Sequence, residues 1–317
     1  MNEYRGKHSP SVPWGVSSTA SSDRYRPKHS TQNRRRKRIW IILIILAGIL
    51  MVYPFVEARF MLRVNQISMT SSDLPADIRR LRIVFLSDVH YGFFFSDSRV
   101  NSLISRINSL KPDVVLFGGD IGDTPDDAIA FYKHLSSLHA RYAMLGVLGE
   151  SDHGETDLER TMVTDAMRDA GVTPLVNDLV SVRIGTSMIH ILGLDDVRTG
   201  TPTLSALSAQ TSTDDFVVLL CHNPSIIPET QRSADRNGRL GWFDLALYGH
   251  THGGQIAFLS DLLDIAGDVD DRYQHGWFVE NRSNILVSNG VGTSVLPCRF
   301  LRPPQIHCVD IAFYPDG

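Results

Sequence analysis

Apolar and polar positions divide the chain into three unequal parts. Residues 1–33 are rich in Ser, Pro, Arg and Asn and poor in aliphatic side chains, too little apolar surface to offset the entropy of ordering a chain, so disorder is expected there. Ile39 to Val56 is an uncharged apolar run, IWIILIILAGILMVYPFV, directly after RRRKR. As a helix it extends roughly 27 Å, close to the hydrocarbon thickness of a bilayer. A buried core helix of this length normally keeps a polar face, and this run has none, which favours a transmembrane helix. A cleaved signal peptide fits less well, because its basic region would be long and Val56-Glu57-Ala58 resembles a cleavage site only weakly.

From Arg82 the pattern changes to short apolar runs alternating with helical spacing. LRIVFLSDVH and VVLFGGD read as strands that end in polar residues, and SRVNSLISRINSLKPD between them as a helix closed by Pro112. A helix at about 125–138, a strand at about 141–148 and a helix at about 157–170 continue this rhythm, which is that of an α/β layer with buried parallel strands. The second half reads as a hairpin around Gly185-Thr186, then strands at FVVLLCH, FDLALYGH, ILVSN and IHCVDIAF. Two sheets packed face to face with helices outside accommodate all of these. With no internal repeat and no interior linker, the expected organisation is a disordered basic tail over 1–38, a transmembrane helix over 39–56 and one domain over 57–317.

Charge sharpens the division. Residues 1–38 carry ten Lys or Arg against Glu3 and Asp23, a net +8, which leaves −12 on the remainder. The basic flank predicts a cytoplasmic N-terminus and a body outside the cell membrane, held by a single pass. An acidic body without a basic stripe excludes nucleic acid as its main partner, and an anionic substrate would need a local cationic feature such as metal ions. Cys221, Cys298 and Cys308 are odd in number and lack C-x-x-C spacing, so they read as small buried apolar residues.

Candidate ligands stand where apolar strands stop, the place where α/β sheets build sites. Asp88 and His90 follow IVFL, Asp120 follows VVLFGG, Glu150 follows AMLGVLG, His222 follows VVLLC, and His250 and His252 follow LALYG. One such histidine alone would be an ordinary polar strand end; five strands ending this way imply a metal centre. An i, i+2 pair on an extended strand points both side chains to one face, so Asp88/His90 and His250/His252 could each give two ligands to one place. Mixed histidine and carboxylate ligands suit Zn, Mn or Fe, and two such ions ~3.5–4 Å apart can share a bridging carboxylate.

SDVH, GGD, CHNP and GHTHGGQI, in this order, resemble the calcineurin-like metallophosphoesterases over about residues 65–312. GHTHGGQI and NGVGTSVLPCRFLRPPQI are especially similar to a membrane-associated bacterial branch that includes lipid-sugar pyrophosphatases. The resemblance implies an α/β fold, a four-layer α/β/β/α sandwich of two mixed sheets, with two divalent metal ions. It puts Asp88, His90 and His252 on the first metal, makes Asp120 the bridge, and gives His222 and His250 to the second.

LGESDHG, residues 148–154, departs from the family's Gly-Asn-His-Asp. Alignment on GVLG places Glu150 at the ligating Asn, Ser151 at the acid or phosphate-clamping His, and keeps Asp152; alignment on YAMLG would put Val147 and Leu148 there instead. The first preserves an oxygen ligand. Glu150 then lowers the formal charge of the centre by one unit relative to an amide, which should weaken its pull on phosphate and its acidification of water. Ser151 cannot donate a proton as an imidazole does, so it is left as a substrate contact, with His153 as the substitute acid. Asp120, Asp152 and His153 are thus the expected catalytic residues, Ser151 and Arg299 the substrate contacts, and Asp195 and Asp196 turn formers.

The resulting expectation is a membrane-anchored, dinuclear metal-dependent phosphoesterase acting on a small-molecule or lipid phosphoester or pyrophosphate. The competing reading is a catalytically silent metal-binding or ligand-sensing domain on the same scaffold.

Overall fold

A computed structural model describes residues 29–257 and 267–315; most of the tail expected to be disordered lies outside the described residues. The chain divides into two compact units, 1–49 and 50–317. Helix α1, His29–Phe60, carries the apolar run. Its stretch Asn33–Phe60 is long and apolar enough to cross a membrane, with a mean hydropathy of 2.7 and no residue of its most apolar window buried.

The larger unit is built on two mixed six-stranded sheets. In chain order the strands are β1 Arg63–Ser71, β2 Arg80–Leu86, β3 Val114–Gly118, β4 Ala143–Val147, β5 Thr173–Pro174, β6 Asp178–Ile184, β7 Ser187–Gly193, β8 Val217–Leu220, β9 Leu245–Tyr248, β10 Gly276–Glu280, β11 Ser283–Val287 and β12 Gln305–Phe313. The first sheet runs β1-β12-β2-β3-β4-β5 and the second β10-β11-β9-β8-β7-β6. Strand alternation sorts the layers. Ile83 and Phe85 of β2 point inward with Leu116, Leu145, Ile191, Val218 and Leu247 into the core between the sheets. Val84 and Leu86 point outward and bury the apolar stripe Val100, Leu103, Ile104 and Ile107 of α2, Asp97–Ser109. Helices α3, Pro125–Tyr132, and α4, Asp157–Asp169, cover the same face. On the far face of the second sheet Val217, Leu219, Ala246 and Tyr248 pack against Leu204, Ile227 and Trp242. The order is therefore α/β/β/α.

Two local differences from the sequence reading have physical causes. The helix expected over 125–138 stops at Tyr132, and a 3-10 turn, Leu135–Ser137, follows. That tighter turn places Leu135 and Leu138 on one side, and both are buried. Strand β1, RVNQISMTS, has no apolar run to announce it because most of it is exposed at a sheet edge. Its partner is β12, paired in parallel from Arg63↔Gln305 to Ser71↔Phe313.

Asp244 ties the two sheets together. Its Oδ1 accepts the Ser71 hydroxyl at the end of β1 (2.6 Å) and its Oδ2 accepts the Val217 N–H at the start of β8 (2.9 Å). Burial pushes this carboxyl from 3.8 up to about 7. The folded pKa lies above the unfolded one, so the stabilising contribution is complete below pH ~4 and is lost as pH rises through about 7. Asp244→Asn keeps one acceptor oxygen and removes the titration. The difference in melting temperature, variant minus parent, is expected to grow in the variant's favour from pH 4 to pH 8; a constant difference would refute the assignment.

Candidate metal centre

Ends of strands from both sheets meet at one place. Asp88 and His90 follow β2, Asp120 follows β3, Glu150 follows β4, His222 follows β8, and His250 and His252 follow β9. Convergence does not come from strand alternation, since β2 stops at Leu86 and β9 at Tyr248. Five of these residues instead take left-handed backbone: Asp88 (φ 51°), His90 (47°), Asp120 (51°), His250 (69°) and His252 (51°). Asp and His tolerate this region better than most residues, but each such position costs energy that the surroundings must supply. Backbone bonds between neighbouring loops supply it: Asp88 N–H to Gly119 O (2.9 Å), His90 N–H to Asp120 O (3.1 Å), Gly249 N–H to His222 O (2.9 Å) and Gly292 N–H to Asp88 O (2.7 Å). Side-chain volume is excluded where the loops touch. A Cβ on Gly149 would collide with the Asp120 carboxylate, and one on Gly119 would lie 2.6 Å from Gly149 N.

Two groups of buried donors result, Asp88-His90-His252 and Asp88-Asp120-His222, each with its ligand atoms within 4.8 Å of one another. Asp120 Oδ2 lies between the two, 3.2 Å from His222 Nε2 and 3.7 Å from His90 Nε2. His252 Nε2 stands 3.7 Å from Asp88 Oδ1 and 3.1 Å from His90 Nε2. His250 is adjacent, its ring 5.3 Å from that of His222 and its N–H donating to Asp88 Oδ1 (2.9 Å).

Hydrogen bonds assign the ring protons. His90 Nδ1 faces Asp123 Oδ1 (3.1 Å), His222 Nδ1 faces Gly118 O (2.8 Å) and His250 Nε2 faces Asp268 Oδ1 (3.4 Å). Each partner is an acceptor, so the ring N–H donates and the other nitrogen keeps its lone pair, the arrangement that prepares histidine for a cation. Buried Asp88 Oδ2 has no hydrogen-bond partner, and His222 Nε2 meets only Asp120 Oδ2. Leaving a carboxylate oxygen so placed is costly unless a cation meets it. The donor set therefore fits divalent metal. His252 is prepared differently: Arg299 donates to its Nδ1 (3.1 Å), which puts the ring proton on Nε2, and ligation there would turn Arg299 off Nδ1.

Electrostatics agree with a paired, charged centre. Burial alone would raise the Asp120 carboxyl, but His222 and His90 bring it well below the usual range. Burial alone would lower His222, yet Asp120 and Asp88 raise it. His252 is lowered by burial, His90 and Arg299.

Of the other expected site residues, Ser151 and Arg299 contact ligands of this centre directly. The hydroxyl of Ser151 lies 2.8 Å from Asp120 Oδ1 and 2.7 Å from Gly122 O, while its N–H donates to Asp120 Oδ1 (2.9 Å). Asp152 is fully buried and accepts the N–H groups of Ile121 (2.9 Å), Gly122 (3.1 Å) and Gly149 (3.2 Å); burial and Asp120 push it up to about 7. His153 Nε2 faces Asp195 Oδ1 (3.2 Å). Glu150 stands apart from both donor groups, paired with Arg198 (2.8 Å). The Arg299 guanidinium is wholly buried and donates to the carbonyls of Gly292 (2.7 Å) and Asn289 (2.6 Å) as well as to His252. Asp195 and Asp196 accept the N–H groups of Thr201, Arg198 and Thr199 and so shape a turn.

Sequence reasoning missed Asp123 and Asp268, which orient His90 and His250. Asp123 stands three residues after Asp120, and Asp268 lies in the acidic run GDVDD, where nothing in the spacing separates it from its neighbours. Asp268 is fixed by Asn223, whose Nδ2 donates to Oδ2 (2.8 Å), and its pKa is lowered chiefly by the hydrogen bond with His250.

The model of the calcineurin-like phosphoesterase family matches residues 81–254. The chain is 30% identical over 254 residues to the uncharacterized metallophosphoesterase YkuE of Bacillus subtilis, covering 78% of this chain and 84% of that protein. It is 27% identical over 217 residues to phosphodiesterase YaeI of Escherichia coli, covering 67% and 75%. It is also 25% identical over 279 residues to a transmembrane protein with metallophosphoesterase domain from Danio rerio, covering 84% and 61%.

Removing an orienting carboxylate commonly costs ~10–100-fold in metal affinity or activity. Asp268→Ala is expected to lower metal retention in a chelator competition by about that factor, with Asp268→Asn in between because an amide oxygen still accepts from His250. Unchanged retention in Asp268→Ala would remove Asp268 from the centre.

Proposed function

The chain belongs to the calcineurin-like phosphoesterase family and is a metal-dependent phosphohydrolase, and from that premise we propose that it works with two divalent ions. In this reading Asp88, His90 and His252 would hold one ion and His222, His250 and Glu150 the other, with Asp120 as the carboxylate that would serve both. The observation that carries it is the position of Asp120 Oδ2 between His222 and His90. Bound ions of this kind supply charge neutralisation at phosphorus and a water made acidic enough to attack.

The chain's own residues do the positioning. Ser151 and Asp152 are held away from substrate duty: Ser151 braces Asp120, and Asp152 staples the loop after β3 to the loop after β4. Glu150 must leave Arg198 to reach an ion. That pair is half-exposed on both sides and is worth at most ~1 kcal/mol, so coordination by a divalent cation outweighs it and releases Arg198 toward an anionic substrate. His153 Nε2 is held by the Asp195 carboxylate (3.2 Å), to which its N–H donates; in this reading it is a brace and the centre works without an imidazole acid. Arg299 acts through His252 and the loop carbonyls.

A centre without that acid should favour bonds whose leaving oxygen departs readily, as in pyrophosphates and aryl phosphoesters. We place the substrate among lipid or envelope phosphoesters, because the apolar helix keeps the body at a membrane, single-pass, with the N-terminus cytoplasmic and the body outside.

Full-length protein reconstituted with Mn, Fe or Zn is expected to bind close to two equivalents, and Asp120→Ala to disturb both. Turnover should be faster on pyrophosphate and aryl esters than on alkyl phosphomonoesters. Ser151→His should improve alkyl substrates over aryl ones by a large part of the ~10²–10⁴-fold that a general acid contributes, and His153→Ala should leave that ratio unchanged. Selective loss of alkyl turnover in His153→Ala would make His153 the acid.

A further inference from the structure

The last turns of α1 and the two loops that leave the metal centre are clamped together within the larger unit. Glu57, almost wholly buried, accepts the N–H of Leu301 (2.9 Å), and Pro54 O accepts the N–H of Arg299 (2.9 Å). Arg99 of α2 bridges the helix to the loop after His90, one Nη donating to Ala58 O (3.0 Å) and the other to Phe94 O (3.0 Å). Around this clamp lies a cleft of about 340 Å³ lined by Arg59, Phe60, Phe95, Ser98, Arg99 and Ser102 among others.

Two properties of the cleft are unusual together. Neither Arg59 nor Arg99 forms an ion pair with a carboxylate among the described residues, although Arg99 stacks its guanidinium 4.0 Å above the Phe95 ring and burial lowers its pKa to about 10. Phe60 of the lining is 73% exposed, and the two clamped loops carry further exposed apolar side chains, Phe93 at 91% and Leu301 at 58%. Unpaired cations beside exposed aromatic residues match the boundary of a bilayer, where phosphate headgroups lie directly above acyl chains. The cleft is also continuous along the chain with the apolar helix that ends in it.

We propose that this cleft binds the phosphate headgroup of an anionic membrane lipid, with Arg59 and Arg99 on the phosphate and Phe60, Phe93 and Phe94 at the headgroup and acyl boundary. The proposal rests on the membrane reading of α1. Lipid rather than free phosphate is the occupant because the rim offers more apolar surface than an inorganic ion can cover. The cleft wall adjoins the metal centre at Val291, whose N–H, like that of Gly292, is bonded to Asp88 O.

Native mass spectrometry of the detergent-solubilised full chain, offered equal amounts of phosphatidylglycerol and phosphatidylcholine with matched acyl chains, tests the site. Phosphatidylglycerol is expected to be retained preferentially, by about fivefold for each arginine. Arg59→Gln, at an exposed position, should reduce the preference by about fivefold. In nanodiscs, brominated acyl chains should quench the emission that Phe93→Trp adds to a Trp40→Phe background, measured against that background alone. Equal retention of the two lipids, displacement of phosphatidylglycerol by millimolar inorganic phosphate, or an unquenched Trp would overturn the proposal. Metal content is read separately, so a protein that binds one ion or none but still selects phosphatidylglycerol would sink the two-ion reading and leave this one standing. A chain that stays dispersed without detergent would instead sink the membrane reading.

Discussion

Everything in the body is arranged around two carboxylates, Asp88 and Asp120, buried where the strand ends of the two sheets meet. Among the described residues no lysine or arginine forms an ion pair with either one; the groups at ion-pair distance are histidines. A buried carboxylate in such surroundings costs several kcal/mol unless a cation compensates it. The fold therefore stabilises an arrangement that water or a hydrophobic core would not favour, and it does so with the backbone. Left-handed residues aim the side chains, interloop hydrogen bonds hold the turns, and Gly119 and Gly149 allow two loops to approach more closely than any side chain would permit.

The loop after β4 shows how such a centre absorbs substitutions. Ser151 places a hydroxyl against the carboxylate most central to the site. Its neighbour Asp152 spends both oxygens on backbone N–H groups. Much of the charge and hydrogen bonding in LGESDHG thus goes into holding the loop, while Glu150 pairs with Arg198 at the half-exposed edge. The same economy governs Arg299. A buried guanidinium whose donors are spread over loop carbonyls and one imidazole is a brace, and its position in a conspicuous motif gives no hint of that.

Much of the architecture was legible because burial writes a period into the sequence. Strands such as β2, β3 and β8 are continuous apolar runs since both faces are covered, and the polar residues that end them are conspicuous for that reason. What the period cannot carry is direction and partnership. The i, i+2 rule predicted convergence of Asp88 with His90 and of His250 with His252 for the wrong reason, because these residues lie beyond the strands. Asp123 and Asp268 sit in loops among other acidic residues, and their role appears only once the rings they orient are in place. β1 escaped notice because an exposed edge strand needs no apolar pattern.

The pairing of β1 with β12 bears on how the chain is made. β1 begins three residues after α1 and hydrogen-bonds along its length to a strand 242 residues further on, while β12 in turn is the bridge to β2. During synthesis α1 and β1 emerge first, yet β1 has no sheet to join until β12 arrives. The segment next to the apolar helix must wait as an open edge while the rest of both sheets is translated. Completion of the first sheet is thus a late event, and a ribosome that stalls before β12 would leave the apolar helix followed by an unpaired strand.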